Sequence, residues 1–194
     1  MLSFGAMTGG DRAGASGARI AGGGRRTRIR AATADDLQAV NDIYNHEVLH
    51  GVATFDTVPW ALEARSAWFA QHGGGRHAVL VAVEDGRVTG WAGLSSWSER
   101  CAYARAAEVS VYVHPERRGR GIGRALLGEL IAQGRRAGLG VLLARIESSG
   151  RVSLALHRAY GFRAVGTMHG VGEKFGRILD VELLELPLDG GTGS

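Results

Sequence analysis

The sequence has few of the features that mark disulfide-bonded, zinc-binding or membrane-spanning proteins. Its 194 residues contain one cysteine, Cys101, which excludes an intrachain disulfide and any zinc site built from several cysteines. No apolar run approaches the roughly 20 residues that a membrane-spanning helix needs. The first residues have no signal-peptide core, because Leu2 and Phe4 are followed by Gly, Ala, Ser and Arg. We therefore expect a cytoplasmic protein that uses neither a membrane nor a metal.

Excess charge is also scarce outside the N-terminal segment. The formal net charge is +4, but residues 1–27 hold four arginines and one aspartate, so about +1 is left for the rest of the chain. A basic groove for nucleic acid is therefore not expected. We interpret residues 1–27, rich in Gly, Ala and Arg, and residues 189–194 as disordered tails. For the first segment, an Arg-rich organelle transit peptide or a true start at Met7 would also fit.

Residues 28–188 alternate between strand and helix patterns and show neither a repeat nor an internal boundary. Period-2 and buried apolar runs predict strands at 28–32, 78–83, 88–96, 141–146, 163–168 and 180–186, with a further strand leading to His114. Amphipathic runs predict helices after Thr33, from Pro59 to the glycines at 73–75, from the glycine-rich turn to Gly138, and over 152–160. The mixture of antiparallel and parallel strand connections predicts an α/β fold (α+β mixed). We expect a single domain with one mostly antiparallel central sheet flanked by helices.

The stretch from Val111 to Arg124, VYVHPERRGRGIGR, carries the strongest functional signal. An apolar strand runs into a turn with glycines at alternate positions among arginines, and a helix begins there. Glycine lets the backbone point successive N–H groups at one anion, and the helix start adds its positive dipole end. The pattern therefore predicts a pyrophosphate-binding loop. A Walker A loop is excluded because Gly-Lys-Ser/Thr is absent, and a dinucleotide fingerprint is excluded because Arg124 stands where its third glycine is needed.

The spacing Arg118-x-x-Gly121-x-Gly123 resembles the acetyl-CoA signature of the GNAT acetyltransferase superfamily. Over nearly all of residues 28–188 the chain also resembles one branch, the phosphinothricin and methionine sulfoximine/sulfone N-acetyltransferases. The pieces that carry this resemblance are DIYN (42–45), WSERCAY (97–103), EVSVYV (108–113), Leu156-His157 before Gly161-Phe162, and KFGRILD (174–180). The last piece is closer to the methionine sulfoximine/sulfone members, because the phosphinothricin enzymes carry histidines at the positions of Phe175 and Leu179.

The resemblance implies an enzyme that moves an acetyl group from acetyl-CoA to the α-amino group of a small amino-acid analogue by direct attack, and that works as a homodimer. Glu108 would remove the amine proton, directly or through water. His157 would donate a proton or a hydrogen bond to the leaving thiolate. The cofactor-binding residues that the resemblance implies are Val111, Tyr112, Val113, Arg118, Gly119, Arg120, Gly121, Ile122, Gly123, Arg124, Gly150 and Ser153. Backbone groups of the first three would pair with the pantetheine arm, and an N–H there would polarise the thioester oxygen.

Purely structural interpretations stand beside these roles. Glu108 is also interpretable as a surface carboxylate or as an ion-pair partner of Arg105. His157 is interpretable as a core histidine whose hydrogen bonds are satisfied within the protein. Val111, Tyr112 and Val113 are interpretable as core residues of a strand. Gly150 departs from the family pattern, in which an asparagine binds the pantetheine. Its hydrogen bond must then be absent or be supplied by Ser149 or Ser153.

For the acceptor, the resemblance implies Phe55, Arg100, Ala102 and Tyr103 as binding residues. A guanidinium suits a carboxylate because it forms two parallel hydrogen bonds, which favours Arg100 as the partner of an amino-acid substrate. The competing interpretations are packing for the aromatic ring of Phe55 and simple exposure for Arg100.

Residues His46 to His50 spell HExxH, the motif of zinc peptidases, and would define a different enzyme. On a helical wheel both histidines fall opposite the apolar stripe that includes Val40 and Val48, as solvated positions do. Ala53 stands where the longer zinc motif has glycine. We therefore do not expect a zinc site.

Two further functions would use the same cofactor residues. One is a non-catalytic module that binds acetyl-CoA, and the other is an acetyltransferase for protein N-termini or lysines. The second differs from the small-molecule enzyme only in its acceptor cleft, so the glycine loop does not discriminate between them.

Overall fold

The computed structural model describes residues 19–20, 27–72 and 75–188, which form one eight-stranded sheet with four α-helices packed on it. The strands are β1 (Arg19–Ile20), β2 (Thr27–Ala31), β3 (Val79–Glu84), β4 (Arg87–Ser96), β5 (Ala106–Val113), β6 (Val141–Glu147), β7 (Arg163–Lys174) and β8 (Arg177–Pro187). The helices are α1 (Leu37–His50), α2 (Leu62–His72), α3 (Ile122–Arg136) and α4 (Arg151–Ala159). The order across the sheet is β1-β2-β3-β4-β5-β6-β8-β7, and among these described strands only β5 and β6 pair in parallel. The predicted mixed, mostly antiparallel sheet is confirmed.

Local sequence signals position several of these elements. Asp85 and Gly86 adopt positive φ angles of 49° and 76°, as the tight turn of the β3–β4 hairpin requires. Asp36 accepts hydrogen bonds from the Thr33 backbone N–H at 2.8 Å and from Arg30 at 2.6 Å. The predicted helix start at Thr33 is therefore present, although a short 3₁₀ helix (Ala34–Asp36) precedes α1.

The predicted bounds are wrong for α2 and for the closing β7–β8 hairpin. α2 begins at Leu62 rather than at Pro59, because Asn45 accepts from the Trp60 backbone N–H at 2.8 Å and donates to the Trp60 carbonyl at 2.9 Å, which holds this segment outside the helix. The closing hairpin is much longer than predicted, with 12 residues in β7 and 11 in β8. Most residues of β7 are exposed, so no apolar period marks most of that strand in the sequence.

The two faces of the sheet carry separate apolar clusters. α3 lays Leu126, Leu127 and Leu130 on one face, and α1 and α2 cover the other face around Trp91. Successive side chains of a strand point to opposite faces of the sheet. Trp91 of β4 pairs with Tyr112 of β5, so every second residue of β4 counted from Trp91 and of β5 counted from Tyr112 lies on the same face. The same alternation places polar groups on the α1/α2 face at Ser95, Glu108 and Ser110.

The prediction of disordered tails concerns mainly residues 1–18, 21–26 and 189–194, which lie outside the described residues. Within the first segment, Arg19 pairs with Arg28 and Ile20 with Thr27, so a short strand extends the sheet beyond the predicted start at Arg28. None of the helices in the described ranges is long and apolar enough to cross a membrane.

Candidate active site

The parallel strands β5 and β6 stay paired over only a short length. Ala106, Ala107 and Glu108 pair with Val141, Leu142 and Leu143, and no pairing continues beyond Glu108. A cavity of about 560 Å³ lies where the strands part, between the end of α1, the loop that follows it and the start of α4. Among the predicted site residues, those that line this cavity are Glu108, Val111, Tyr112, Gly150, Ser153 and His157. The backbone of β5 beyond Glu108 is thus left available to an extended ligand, as the predicted pairing with a pantetheine arm requires.

The glycine loop joins β5 to α3. Gly119 and Gly121 have φ angles of +75° and +81°, a region in which other residues are strained, and a Cβ at either position would meet nothing within 4 Å. Gly121 is the N-cap of α3, and the first N–H groups of a helix have no acceptor within the helix. The loop is therefore open, and its backbone donors and the helix dipole suit a pyrophosphate.

Arg118 connects this loop to α1. Its Nη2 donates to Glu47 Oε1, and its Nε donates to the Val113 carbonyl at 3.3 Å. Glu47 lines the cavity, and its backbone carbonyl accepts a hydrogen bond from Lys174 Nζ at 3.2 Å. Lys174 also donates to the Thr54 carbonyl at 2.8 Å, and burial lowers the pKa of this amine. The glycine loop, α1 and the tip of the β7–β8 hairpin thus meet at one side of the cavity.

Glu108, the predicted base, is held by Arg145 of β6. Arg145 Nε lies 2.7 Å from Glu108 Oε1 and Nη2 lies 2.5 Å from Oε2, and these hydrogen bonds raise the pKa of the guanidinium. The Glu108 side chain is 19% exposed, and Arg145 covers the Trp97 ring at 5.5 Å. Each carboxylate oxygen keeps a second lone pair that Arg145 does not use. The ion pair and a role as base are therefore compatible.

His157 is buried against the cavity and edge-on to Phe162. Its Nδ1 lies 2.8 Å from the Ser153 carbonyl, which accepts only, so Nδ1 carries the hydrogen. Burial lowers the pKa of His157, so the ring is neutral near pH 7 and its Nε2 is a hydrogen-bond acceptor. In this neutral form Nε2 accepts a hydrogen bond and does not donate one, so proton donation to the thiolate requires a protonated ring and stays a prediction, beside the interpretation of His157 as a core histidine.

Gly150, the N-cap of α4, is tightly packed. A Cβ at this position would lie 2.9 Å from the Glu147 carbonyl oxygen and 3.3 Å from Ile146 Cγ2, so an asparagine does not fit without a shift of the backbone. Of the two possible substitutes, Ser149 already donates to Glu147 Oε2 at 2.5 Å. Ser153 lines the cavity, and its hydroxyl lies 3.5 Å from His157 Nδ1, which is a weaker contact than the one Ser149 makes. Ser153 is therefore better placed than Ser149 to replace the hydrogen bond of the family's asparagine.

The residues predicted to bind the acceptor do not line the cavity. The Phe55 ring packs so closely on Gly172 that a side chain there would collide with it, and Phe55 borders a second, shallower groove. Arg100, Ala102 and Tyr103 are exposed, in or next to a short 3₁₀ helix (Cys101–Tyr103). The structure shows a packing contact for Phe55, and acceptor binding by all four residues stays a prediction.

The structure adds cavity residues that the sequence did not reveal. Asp56 Oδ2 accepts from the Tyr44 hydroxyl at 2.6 Å and from Trp60 Nε1 at 2.7 Å. Burial, with Asp56 adding to it, raises the pKa of Tyr44 to about 12. Ser95 and Arg145 also line the cavity. The alternation of side chains along β4, with the correct register, would have identified Ser95. Asp56 lies in a loop, where no periodic pattern of apolar residues indicates which side chains face the cavity.

The HExxH motif occupies the last turns of α1 and does not converge on a metal site. The rings of His46 and His50 lie next to each other with their centroids 4.7 Å apart and their planes tilted by 48°, while Glu47 points away to Arg118. His50 is exposed as predicted and His46 is half-buried. Within the described parts of the chain, no three His, Cys, Asp or Glu side chains come together as metal ligands.

Comparison with known proteins identifies the family. The acetyltransferase (GNAT) family matches residues 39–162. The L-amino acid N-acyltransferase of Escherichia coli is 41% identical over 164 residues, which is 84% of this chain and 95% of that protein. The L-methionine sulfoximine/L-methionine sulfone acetyltransferase of Salmonella typhimurium is 41% identical over 161 residues, 83% of this chain and 94% of that protein.

Solved structures agree with this assignment. A GNAT superfamily phosphinothricin acetyltransferase from Sinorhizobium meliloti, in complex with acetyl-CoA, superposes with a TM-score of 0.83 at 38% identity over 86% of this chain and 90% of that one. A ribosomal-protein-alanine N-acetyltransferase from Brucella melitensis gives a TM-score of 0.80 at 40% identity over 82% of this chain and 98% of that one. The predicted resemblance, to the superfamily and to this branch, is confirmed. The chain belongs to the GNAT family of acetyltransferases.

Proposed function

We propose that this enzyme acetylates the α-amino group of a small amino-acid analogue of the methionine sulfone/sulfoximine or phosphinothricin kind, by direct attack of the amine on the thioester of acetyl-CoA. That it is an acetyl-CoA-dependent N-acetyltransferase follows from its family. The acceptor and the residue roles are the proposed part. The observation that carries them is the placement of Glu108 at the point where β5 and β6 part, beside backbone that is free to hold an extended ligand.

Each region of the site has a separate task. Bound acetyl-CoA supplies an activated acetyl group as a thioester. The glycine loop (118–124) holds the pyrophosphate, and backbone groups of Val111–Val113 hold the pantetheine arm. Glu108 takes a proton from the acceptor ammonium, directly or through one water, so that the nitrogen lone pair becomes available. The new C–N bond then forms as the C–S bond breaks, and the nitrogen gives up its second proton, which the departing thiolate takes up directly or through water, so that the amide and the free thiol of CoA are the products.

The charges around the cavity favour a cationic acceptor. Glu147 accepts a hydrogen bond from Ser149, which is a neutral donor. Asp56 accepts hydrogen bonds from Tyr44 and Trp60, but it also interacts electrostatically with Arg65 and Lys174, which offset part of its charge. The negative charge of Glu147 therefore attracts a positively charged ammonium group into the cavity. The names of the relatives add the substrate class, since two of them act on amino acids or on methionine-derived analogues.

The test is a steady-state screen with acetyl-CoA and purified full-length protein. The panel compares methionine sulfone, methionine sulfoximine and phosphinothricin with ordinary amino acids. It also includes peptides whose N-terminal residue is alanine and peptides that contain lysine. We expect the highest kcat/KM for one of the three analogues, with a methionine derivative ahead of phosphinothricin. Faster acetylation of any peptide than of every amino-acid analogue would refute the proposed acceptor.

Acetylation of protein N-termini is the second candidate. The similarity to a ribosomal-protein-alanine N-acetyltransferase at 40% identity favours it. The peptides with an N-terminal alanine in the panel decide between this function and acetylation of an amino-acid analogue.

We also propose a cytoplasmic homodimer. β7 is an edge strand whose side chains are largely exposed, and Val165, Val171 and the neighbouring Ile178 of β8 are 54%, 52% and 67% exposed. A second copy would cover this apolar surface and the open edge. Light scattering of the full-length protein tests the dimer, and a monomeric mass at micromolar concentration would contradict it.

A further inference from the structure

A buried histidine of α2 reaches the cavity through a serine. His72, the last residue of α2, is 9% exposed, and its Nδ1 lies 2.7 Å from the Trp68 carbonyl oxygen. Its Nε2 lies 2.9 Å from the hydroxyl oxygen of Ser95, a cavity residue on β4. Ser95 is the direct cross-strand partner of Glu108, and directly opposed side chains of this kind stand about 5 Å apart. A hydrogen-bonded chain from α2 therefore ends beside the predicted base.

The first hydrogen bond of this chain fixes the direction of the second. A carbonyl oxygen only accepts, so Nδ1 of His72 carries the hydrogen, and Nε2 of the neutral ring must accept from the Ser95 hydroxyl. Burial lowers the pKa of His72, with smaller contributions in the same direction from His77 and Arg65, so the ring is neutral near pH 7. The hydrogen of Ser95 is thus committed to His72. What the hydroxyl offers the cavity is a lone pair.

We propose that Ser95 binds the acceptor by accepting a hydrogen bond from its amine N–H, and that His72 is a positioning residue that keeps Ser95 in the accepting direction. This inference rests on the proposed amine acetylation. An ammonium group carries three hydrogens, so it has one to give to Glu108 and another to give to Ser95. A hydroxyl acceptor has a single hydrogen and cannot satisfy both groups. The pair therefore selects nitrogen over oxygen nucleophiles and restrains the nitrogen before it attacks.

Kinetics of single and double variants test this arrangement. Ser95→Ala should lower kcat/KM for the amine about 10-fold, mainly through a higher acceptor KM, as expected for one lost hydrogen bond in a desolvated site. His72→Phe should have a similar effect, because the ring then no longer orients the hydroxyl. His72→Gln should recover part of the activity, because its amide oxygen can again accept from Ser95. The KM for acetyl-CoA should stay unchanged in all three.

The double variant Ser95→Ala/His72→Phe separates positioning from simple packing. If His72 acts only through Ser95, the double variant is no worse than Ser95→Ala alone. Ser96→Ala is the matched control, since Ser96 is exposed on the opposite face of the same strand and donates to the Ser98 carbonyl. Thermal unfolding of each variant identifies any that fails to fold. Ser95→Ala removes a single oxygen atom, so its kinetics test the inference even if a His72 variant does not fold.

Three results would overturn the inference. They are an unchanged acceptor KM in Ser95→Ala, additive losses in the double variant, and an acetyl group on Ser95 detected by mass spectrometry during turnover, which would make the serine a nucleophile. Failure of the proposed acceptor gives a different result. An enzyme that prefers peptide N-termini refutes the amino-acid substrate, yet the same variants still report on Ser95, because every primary amine offers the same N–H groups.

Discussion

Glu108 and Arg145 form a two-bond ion pair at the point where β5 and β6 separate, with the guanidinium donating to both carboxylate oxygens. Arg145 is itself supported by the Trp97 ring at 5.5 Å. A carboxylate fixed at both oxygens has a defined direction for its remaining lone pairs. The carboxylate that we propose as the base is therefore oriented before the acceptor binds, and both residues of the pair are open to separate tests.

Glu108→Gln keeps the shape of the side chain and removes its capacity as a base. We expect kcat/KM near pH 7 to fall by roughly 10²–10⁴-fold while the affinity for CoA is retained. The variant should recover partly at high pH, where the free amine exists without help. Rate profiles against pH, with calorimetric CoA affinities, measure both effects. Glu129→Gln on α3 is a suitable control, and equal turnover of Glu108→Gln and the wild type near pH 7 would remove Glu108 from the mechanism.

Arg145→Met removes the guanidinium and keeps an unbranched apolar side chain. The carboxylate of Glu108 then loses its two fixed hydrogen bonds, and we expect kcat/KM to fall roughly 10–100-fold because the base is less well oriented. Arg145→Lys should restore only part of this loss, because an ammonium cannot hold both oxygens in one plane. Steady-state kinetics in the Glu108→Gln background provide the check. There Arg145→Met should add little, and a full additional loss would show that Arg145 acts elsewhere.

Gly121→Asp should abolish binding of acetyl-CoA. A negative side chain in the glycine loop opposes the pyrophosphate by charge, and the φ of +81° strains any residue with a Cβ. Gly86→Asp is the matched control, because Gly86 has a φ of +76° in the β3–β4 turn and an equally open Cβ position. Calorimetry should show the loss in the first variant alone. Normal affinity in a folded Gly121→Asp protein would contradict the assignment of the loop.

The sequence predicted those parts of the fold and the site that depend on local pattern. The hairpin turn at Asp85-Gly86 and the glycine loop both need backbone angles that few residues adopt, so their residues are visible in the sequence. The predicted start of α2 was wrong because a side chain 15 residues away, Asn45, holds Trp60 outside the helix. Such a tertiary contact leaves no periodic trace.

The partners within the site were harder to predict than its members. Glu108 was identified by resemblance, but Arg145 lies 37 residues away and meets it only because two parallel strands are adjacent. Likewise, His72 and Ser95 belong to different elements, and neither is part of a motif. The role of His157 was also hard to predict, because it depends on the hydrogen-bond partner of Nδ1, a carbonyl one turn earlier in α4.

Arg65 lies inside an aromatic cage, and this predicts an unusual pattern of stability. Its guanidinium carbon is 4.5 Å from the Tyr44 centroid, 4.4 Å from Trp60 and 4.9 Å from Trp68, while burial lowers the pKa of Arg65. Arg65→Ala should lower the free energy of unfolding by about 2–4 kcal/mol, because it leaves a cavity among these rings. Arg65→Met should cost less than about 1 kcal/mol, because it fills the space and removes a buried charge. Urea denaturation measures both, and equal losses would show that the charge, rather than the volume, stabilises the cage.

The buried histidines predict how stability depends on pH. Burial lowers the pKa of His157 and of His72 below the ordinary value of 6.5, so the unfolded chain binds protons more readily than the folded one as the pH falls. Stability should therefore be fully present above about pH 6.5 and decline as the pH drops through this value toward the lowered pKa values of the folded state. Asp36 acts in a separate window, because its hydrogen bond to Arg30 lowers a pKa that is ordinarily 3.8. Urea midpoints between pH 5 and 8 measure the decline, and His157→Gln should reduce it while leaving the contribution of His72. An unchanged pH slope in that variant would show that His157 is not the buried neutral group that its contact with the Ser153 carbonyl implies.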